Sequence, residues 1–331
     1  MNNLLNRRHF LSLSSGASLM LLGLNGHSQT TSLQKHVRCS FALGTKITFT
    51  VFHEDEKLAN QAIDEALLQI DKVENVMSLY RPDSQLSQLN REGLLRKPHP
   101  LFVDTLKRAQ EISALSDGAF DITVQPLWNL FRQHSIKGTI PNQDEVAKVK
   151  KRVGWQFIDI QDDLICMNKA GGQISLNGIA QGLAADVAQQ ALKARGIEHA
   201  LIDAGELSSL GKPQNREAWK IGIQHSRKDE YLGKINLKNR CLSTSGDYQV
   251  KFSEDFRLNH LFDPRTGYSP TELSSVSVLA PSAMQADALS TALFVLGQEK
   301  AMKLMKNLPQ VDAFFVNKKG HIQHTEGFGL A

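Results

Sequence analysis

The stretch from Ser175 to Gly211, SLNGIAQGLAADVAQQALKARGIEHALIDAGELSSLG, constrains the chain most. It opens with two glycines spaced G-x-x-x-G, Gly178 and Gly182, and runs into an alanine-rich segment. Ile179, Leu183, Val187 and Leu192 recur on one face at helical spacing, so an amphipathic helix is predicted, stopped by Gly196. A short apolar run, Ala200 to Ile202, and a turn at Asp203, Ala204 and Gly205 follow. Glycines where a helix begins let a ligand approach the backbone, where N–H groups and the positive helix end favour phosphate. An ordinary helix–strand unit of any α/β domain would read the same way. No G-x-G-x-x-G occurs and no G-K-[ST] follows, which sets aside the Rossmann fingerprint and the Walker loop.

The chain of 331 residues has room for one large domain or two tightly packed subdomains. Its 41% apolar and 22% charged content suits a globular protein with a sizeable core. A net charge of +4 without a basic patch interleaved with aromatics argues against nucleic acid as a partner. Residues 1–27 read as a twin-arginine (Tat) export signal: Asn6-Arg7-Arg8-His9-Phe10-Leu11, then an apolar run from Leu13 to Leu24 too short to span a bilayer comfortably. An N-terminal signal anchor or an unrelated basic start would read the same way. Export would place residues 28–331 in the periplasm, associated with the inner membrane if the partner is, with the Tat machinery as a transient partner. Cys39, Cys166 and Cys241 have no metal-site spacing, and their odd number argues against a disulfide framework.

Taken in order, His36–His53 reads as a strand or hairpin bent at Gly44, and Glu56–Tyr80 and His99–Leu115 as helices. Pro82 breaks the first helix, with Asp83 and Ser84 as turn and cap residues, and Asp117-Gly118 makes a turn. The Pro126, Leu127, Trp128 cluster reads as a core plug, and Arg132–Asn142 as a polar loop or subdomain joint. Strands are expected at 157–167, 219–225, 275–280 and 311–324, and a helix from Ser282, its N-cap, to Leu296. Strands and helices mix without regular βαβ alternation, so the fold class is α+β.

Asp287 and Thr291 lie four apart on that last helix, so both oxygens face one way. A carboxylate and a hydroxyl on one face suit a hard cation such as Mg²⁺; a solvated helix face gives the same pattern. His260, Asp263 and Arg265 form a dense polar loop in which a histidine could act as base and an arginine could clamp phosphate. A purely structural histidine fits as well. Thr244, Ser245, Gly246 and Asp247 offer hydroxyls and a carboxylate near a turn, where capping is the simpler role.

Together these blocks resemble the ApbE-like FAD:protein FMN transferase family, over roughly Phe41 to Gly297. Its blocks stand in family order: Leu43-Gly44-Thr45; Ser78 to Asn90; Gly118-Ala119-Phe120-Asp121-x-Thr123; Gly178 to Asp186; Thr244 to Tyr248; His260 to Gly267; and Ala286-Asp287-Ala288-x-x-Thr291-Ala292. The resemblance implies Mg²⁺-dependent cleavage of FAD at its pyrophosphate, transfer of FMN to a Thr or Ser hydroxyl of an acceptor flavoprotein, and release of AMP. It implies that Asp287, Thr291 and a backbone carbonyl near Gly178 hold Mg²⁺, and that His260 is the base. It implies that Leu43, Tyr80, Ala119, Phe120, Asp121, Ser175, Gln181 and Leu261 line the FAD site, in a cleft between the two subdomains. The chain departs from the common pattern at Ser175, Gln181 and Glu206-Leu207. An FAD carrier or assembly chaperone, and an FAD pyrophosphatase, are the alternative readings. The SLNGIAQG form with a Tat signal is similar to a subgroup tied to nitrous-oxide reductase maturation, where the acceptor is a membrane-bound respiratory flavoprotein.

Overall fold

The computed structural model describes residues 32–214 and 216–330. The export signal and the boundary after residue 27 lie outside the described residues. Among the described residues no helix is long and apolar enough to cross a membrane.

The chain begins with β1 (Gln34–Ala42), β2 (Thr45–His53), α1 (Glu56–Met77), α2 (Gln85–Glu92), β3 (Leu94–Arg96) and α3 (Pro100–Leu115). It continues through α4 (Gln125–Ile136), α5 (Gln143–Lys150), β4 (Ile158–Ile160), β5 (Leu164–Met167), α6 (Ala180–Ala194), β6 (His199–Asp203) and β7 (Leu207–Leu210). The last third holds β8 (Trp219–Gln224), β9 (Tyr231–Leu237), β10 (Cys241–Gly246), β11 (Leu273–Ala280), α7 (Ala283–Leu296), α8 (Gln298–Met305), β12 (Asp312–Asn317) and β13 (Ile322–His324).

Eight strands form one sheet in the order β1-β2-β6-β7-β10-β11-β12-β13, and each neighbouring pair is antiparallel. Strand residues alternate between its two faces, as the pleat requires. Ile47, Phe49, Val51, Ala200 and Ile202 join the core beneath α1 and α6, and Val276, Val278, Ala313 and Phe315 the core beneath α7. Their alternates Phe52, Leu242, Leu279, Phe314 and Val316 point the other way, into a core closed by Trp219, Ile223, Ile235 and Leu237 of the β8–β9 ribbon and by Phe328. The architecture is the expected α+β class, with helices on one face of an antiparallel sheet.

Helix α1 starts at the Asp55 cap, whose side chain accepts from Leu58 N–H, and buries a stripe of Ala62, Ala66, Ile70, Val73 and Met77. Its end at Ser78 falls short of Tyr80, and Ser84 caps α2. Helix α7 is buried nearly all round and begins at the Ser282 cap. The expected loop at Arg132–Asn142 is corrected: α4 continues through it to Ile136. Buried Leu127 and Phe131 hold this helix against Phe262, and its polar residues simply face water. The β8–β9 ribbon pairs along its whole length, although only its first strand is marked in the sequence pattern.

Candidate active site

The site starts where α6 meets α7. Asn90 clamps the chain before α6, with its Nδ2 donating to Ile174 O at 2.8 Å and its Oδ1 accepting from Ile174 N–H at 2.7 Å. Ser175 N–H donates to Ile122 O at 2.7 Å. Buried Ile174, Leu176 and Ile179 anchor the same segment. It delivers Gly178 against α7: a Cβ on Gly178 would lie 3.1 Å from Thr291 Oγ1 and 3.6 Å from the Phe120 ring.

One turn on, Gly182 N–H donates to Asp287 Oδ2 at 3.1 Å. A Cβ on Gly182 would fall 2.3 Å from Ala283 O, so the two helices cross where no side chain fits. The G-x-x-x-G spacing thus serves a helix crossing, and the Gly182 N–H expected to be open to phosphate is bonded to Asp287. Asp186 completes the joint by accepting from Ala283 N–H at 2.7 Å and Met284 N–H at 2.9 Å. These bonds cap α7, yet burial still raises the Asp186 carboxyl above its ordinary value.

Asp287 is buried, and Thr291 stands one turn further along, with its hydroxyl 3.1 Å from Ser245 Oγ. The available donors are a carboxylate, a hydroxyl and nearby backbone carbonyls, all hard oxygen. That set fits a small hard divalent cation, which uses one or two carboxylates and keeps water or phosphate on its remaining positions. Among the described residues no three His, Cys, Asp or Glu side chains converge as a softer metal would require.

A second part of the site is an open cavity of about 530 Å³. Leu79 and Tyr80 line it, together with Ser87, Asn90 and Arg91 of α2, Gln125, Trp128 and Asn129 of α4, and Gln173 and Asn177 of the segment before α6. Tyr80 is 77% exposed, so its ring is a surface offered to solvent rather than core. Trp128, expected as part of a core plug, is half-buried and forms cavity wall. Asn129 Nδ2 donates to Gln173 Oε1 at 2.8 Å, which ties two walls together. An aromatic ring and a ring of amides suit a flat heteroaromatic ligand carrying polar edges.

The third part is the loop that carries His260. Its backbone N–H donates to Val250 O at 3.0 Å, and Nδ1 lies 3.3 Å from the same carbonyl. A carbonyl only accepts, so this contact keeps the hydrogen on Nδ1 and leaves the basic lone pair on Nε2. Next to it, fully buried Asn259 holds the loop through Leu261 N–H and Phe256 O. Leu261 lies in the buried cluster around α7 with Ala286, Leu289 and Leu293. Phe262 packs on Phe131 of α4 at 5.1 Å between ring centroids. The loop is thereby fastened both to the helix of Asp287 and to the helix that walls the cavity.

The remaining expected residues take definite places. Leu43 and Gly44 both have positive φ, 52° and 70°, in the tight β1–β2 turn, and a leucine there is strained. Ala119 and Phe120 are buried behind Gly178. Both Asp121 oxygens are engaged: one by Thr123 N–H and hydroxyl at 2.7 and 2.6 Å, the other by Trp155 N–H at 3.0 Å. Burial nonetheless raises its carboxyl above the ordinary value. Ser175 and Gln181 are half-buried on either side of Gly178. Arg265, read as a phosphate clamp, instead forms a bidentate pair with Asp263 at 2.7 and 2.9 Å. The Thr244–Gly246 block is not a turn but the end of β10, paired with β11. Asp247 is wholly buried and held by Arg227 at 2.8 and 2.7 Å and by Lys318 at 3.2 Å.

Asn90, Asp186, Ser290 and the cavity amides are absent from the candidates drawn from sequence as individual residues. Gln125, Trp128 and Asn129 at i, i+3 and i+4 did carry a signal, a polar and aromatic face on a helix otherwise packed by Leu127 and Phe131.

Comparison with known proteins identifies the family and the fold. The ApbE family profile matches residues 43–315. The FAD:protein FMN transferase of Salmonella typhimurium (strain LT2) is 30% identical, over 94% of this chain and 92% of its own length. The crystal structure of the ApbE protein from Thermotoga maritima superposes with a TM-score of 0.81 at 28% identity, covering 89% of this chain and 98% of the other. The apo flavinyl transferase ApbE of Pseudomonas stutzeri gives 0.80 at 28% identity, covering 92% and 99%. The chain belongs to the ApbE family.

Proposed function

We propose that this member of the ApbE family is an FAD:protein FMN transferase that moves FMN from FAD to a Thr or Ser hydroxyl of an acceptor flavoprotein and releases AMP. The observation that carries the reading is the α6–α7 joint, which sets Thr291 against Gly178 beside Phe120 and Asp287 against Gly182 one turn on. Similarity to proteins of that name over nearly the whole chain supports it.

In this reading Asp287, Thr291 and a carbonyl near Gly178 hold Mg²⁺. Bound there, Mg²⁺ supplies charge neutralisation for pyrophosphate oxygens as negative charge grows on the leaving phosphate. Tyr80 and the amide-lined cavity receive a ring of FAD, with Leu43, Ala119, Phe120, Asp121, Ser175, Gln181 and Leu261 shaping the rest of the pocket. His260 Nε2 accepts the proton of the acceptor hydroxyl. The hydroxyl oxygen then bonds to the FMN phosphorus, the pyrophosphate P–O bond breaks, and AMP departs with that electron pair. Such a base is worth about 10²–10⁴-fold in rate. The Val250 carbonyl keeps the imidazole in the tautomer this step needs.

Residues 28–331 act as the transferase domain, exported to the periplasm by the twin-arginine signal, with a periplasmic or membrane-bound acceptor such as a flavoprotein of nitrous-oxide reductase maturation. The test is to incubate the protein with FAD, Mg²⁺ and a candidate acceptor domain and to weigh that domain intact. The expected result is a gain of one FMN, lost in EDTA, with AMP released in step. AMP without a mass gain on any hydroxyl-bearing acceptor would mark a pyrophosphatase, and FAD held without AMP a carrier.

A further inference from the structure

Beneath the joint, hydroxyls touch in series. Thr291 Oγ1 lies 3.1 Å from Ser245 Oγ, and Ser245 Oγ lies 2.8 Å from Ser290 Oγ. Ser290 Oγ donates to the backbone carbonyl of Asp287 at 2.9 Å. Ser243, two residues before Ser245 on β10 and so on the same face, also reaches Ser290 Oγ at 3.2 Å. Ser290 is completely buried, and Ser243 and Ser245 nearly so.

The proton count sets the direction of this chain. Each hydroxyl has one hydrogen to give and two lone pairs. A carbonyl oxygen only accepts, so the Ser290 hydrogen is committed to Asp287 O. Ser290 must then accept from Ser245, which spends the Ser245 hydrogen. Ser245 in turn accepts from Thr291. What Thr291 Oγ1 has left is acceptor capacity alone. A hydroxyl that binds a cation must do so through a lone pair, with its hydrogen turned away.

We propose that Ser245 and Ser290 are positioning residues that hold the Thr291 hydroxyl with its hydrogen away from, and a lone pair toward, a divalent cation on Asp287 and Thr291. The inference rests on the metal half of the proposed function. It gives the serine of the Thr244–Asp247 block a role toward the metal that its own position, outside the donor set, does not suggest. Outer partners that orient a ligand are worth about 10–100-fold in metal affinity.

The test uses Mn²⁺ alone, titrated into the purified protein without FAD and followed by its EPR signal, so that it does not depend on transfer. Ser245→Ala removes the acceptor, and about tenfold weaker Mn²⁺ binding is expected. Ser243 feeds Ser290 without standing between it and Thr291, so the affinity of Ser243→Ala should stay within about twofold of the parent. In a Thr291→Val background, Ser245→Ala should add no further loss, because its effect passes through the Thr291 hydroxyl. Unchanged Mn²⁺ affinity in Ser245→Ala, or a full penalty that persists beside Thr291→Val, overturns the relay and leaves the metal site standing. A parent protein that binds no Mn²⁺ overturns both. Should Ser245→Ala fail to fold, Ser290→Ala decides the point: it releases the Ser245 hydrogen toward Thr291, and an unchanged affinity there also sinks the proposal.

Discussion

The α6–α7 joint and the cavity lined by Asn177, just before it in the chain, are built from opposite materials. The joint is made of small residues and backbone: Gly178, Gly182 and Ala283 meet so closely that a methyl group at Gly182 would fall 2.3 Å from a carbonyl oxygen. Buried Asp287 accepts from Gly182, and half-buried Asp186 from the first turn of α7. The cavity is walled by large side chains, amides and two aromatic rings that water reaches. A rigid joint fixes oxygen donors to within tenths of an ångström, which a small cation demands. A wall of amides on separate elements instead suits a large ligand bound by area and several modest bonds. Damage to the joint should therefore cost stability and chemistry together, whereas damage to the wall should cost ligand affinity alone.

The sharpest way to break this contrast is Asp287→Ala. Transfer should fall by at least about 10²–10³-fold, while the fold survives, as read by intact mass of the acceptor and by thermal melting. Full turnover in that variant would overturn the metal assignment. Next comes Gly182→Ala, where the added methyl must push α7 away. A loss of about 1–3 kcal/mol is expected from such overpacking, visible in chemical denaturation, with transfer falling in parallel. On the wall, Tyr80→Ala should leave the melting temperature unchanged, since the ring is 77% exposed. It should weaken FAD binding by roughly tenfold, the worth of one stacked ring, measured by flavin fluorescence. A stability loss there as large as at Gly182 would erase the distinction.

A smaller effect concerns pH. Burial raises the Asp186 carboxyl, so the native fold binds that proton more tightly than the unfolded chain does. The resulting stabilisation is complete below the unfolded value and is lost as pH rises through the raised native one. Measured against the non-titrating Asp186→Asn, wild-type stability should therefore fall as pH climbs out of the ordinary carboxylate range, and urea melts in which it rises instead would overturn this reading. Smallest of all, the buried Cys241 thiol is pushed up to about 12 by desolvation. It should resist alkylation at neutral pH until the protein unfolds, while exposed Cys39 reacts, as peptide masses would report.

Much of this molecule was readable before any coordinates. The 3.6 spacing in Glu56–Met77 and Ala180–Ala194, the Ser282 cap and the hairpin at Gly44 are local properties, because helix stripes and tight turns are decided by residues a few positions apart. Asp287 and Thr291 share a helix face for the same reason. The end of α4, Arg132 to Ile136, reads as a loop or joint because its outer face is as polar as a linker, whereas Leu127 and Phe131 pack the helix on the His260 loop. The purpose of Gly182 was hidden too, since a glycine opened for phosphate and one opened for a neighbouring helix look alike in sequence.

Sequence alone therefore determined the long helices, the first hairpin, the α+β class and, through the order of its motifs, the residues to watch. Tertiary structure alone decided which of them meet. It set Asp287 against Gly182 across 105 positions, Ser245 against Thr291 across 46, and the Arg265 guanidinium against Asp263. The physical reason is range: periodicity, capping and turn preference act over one or two turns of chain, whereas contacts between distant residues follow from how whole helices and strands bury their apolar faces. A site assembled from α6, α7, β10 and the His260 loop exists only once that burial is complete.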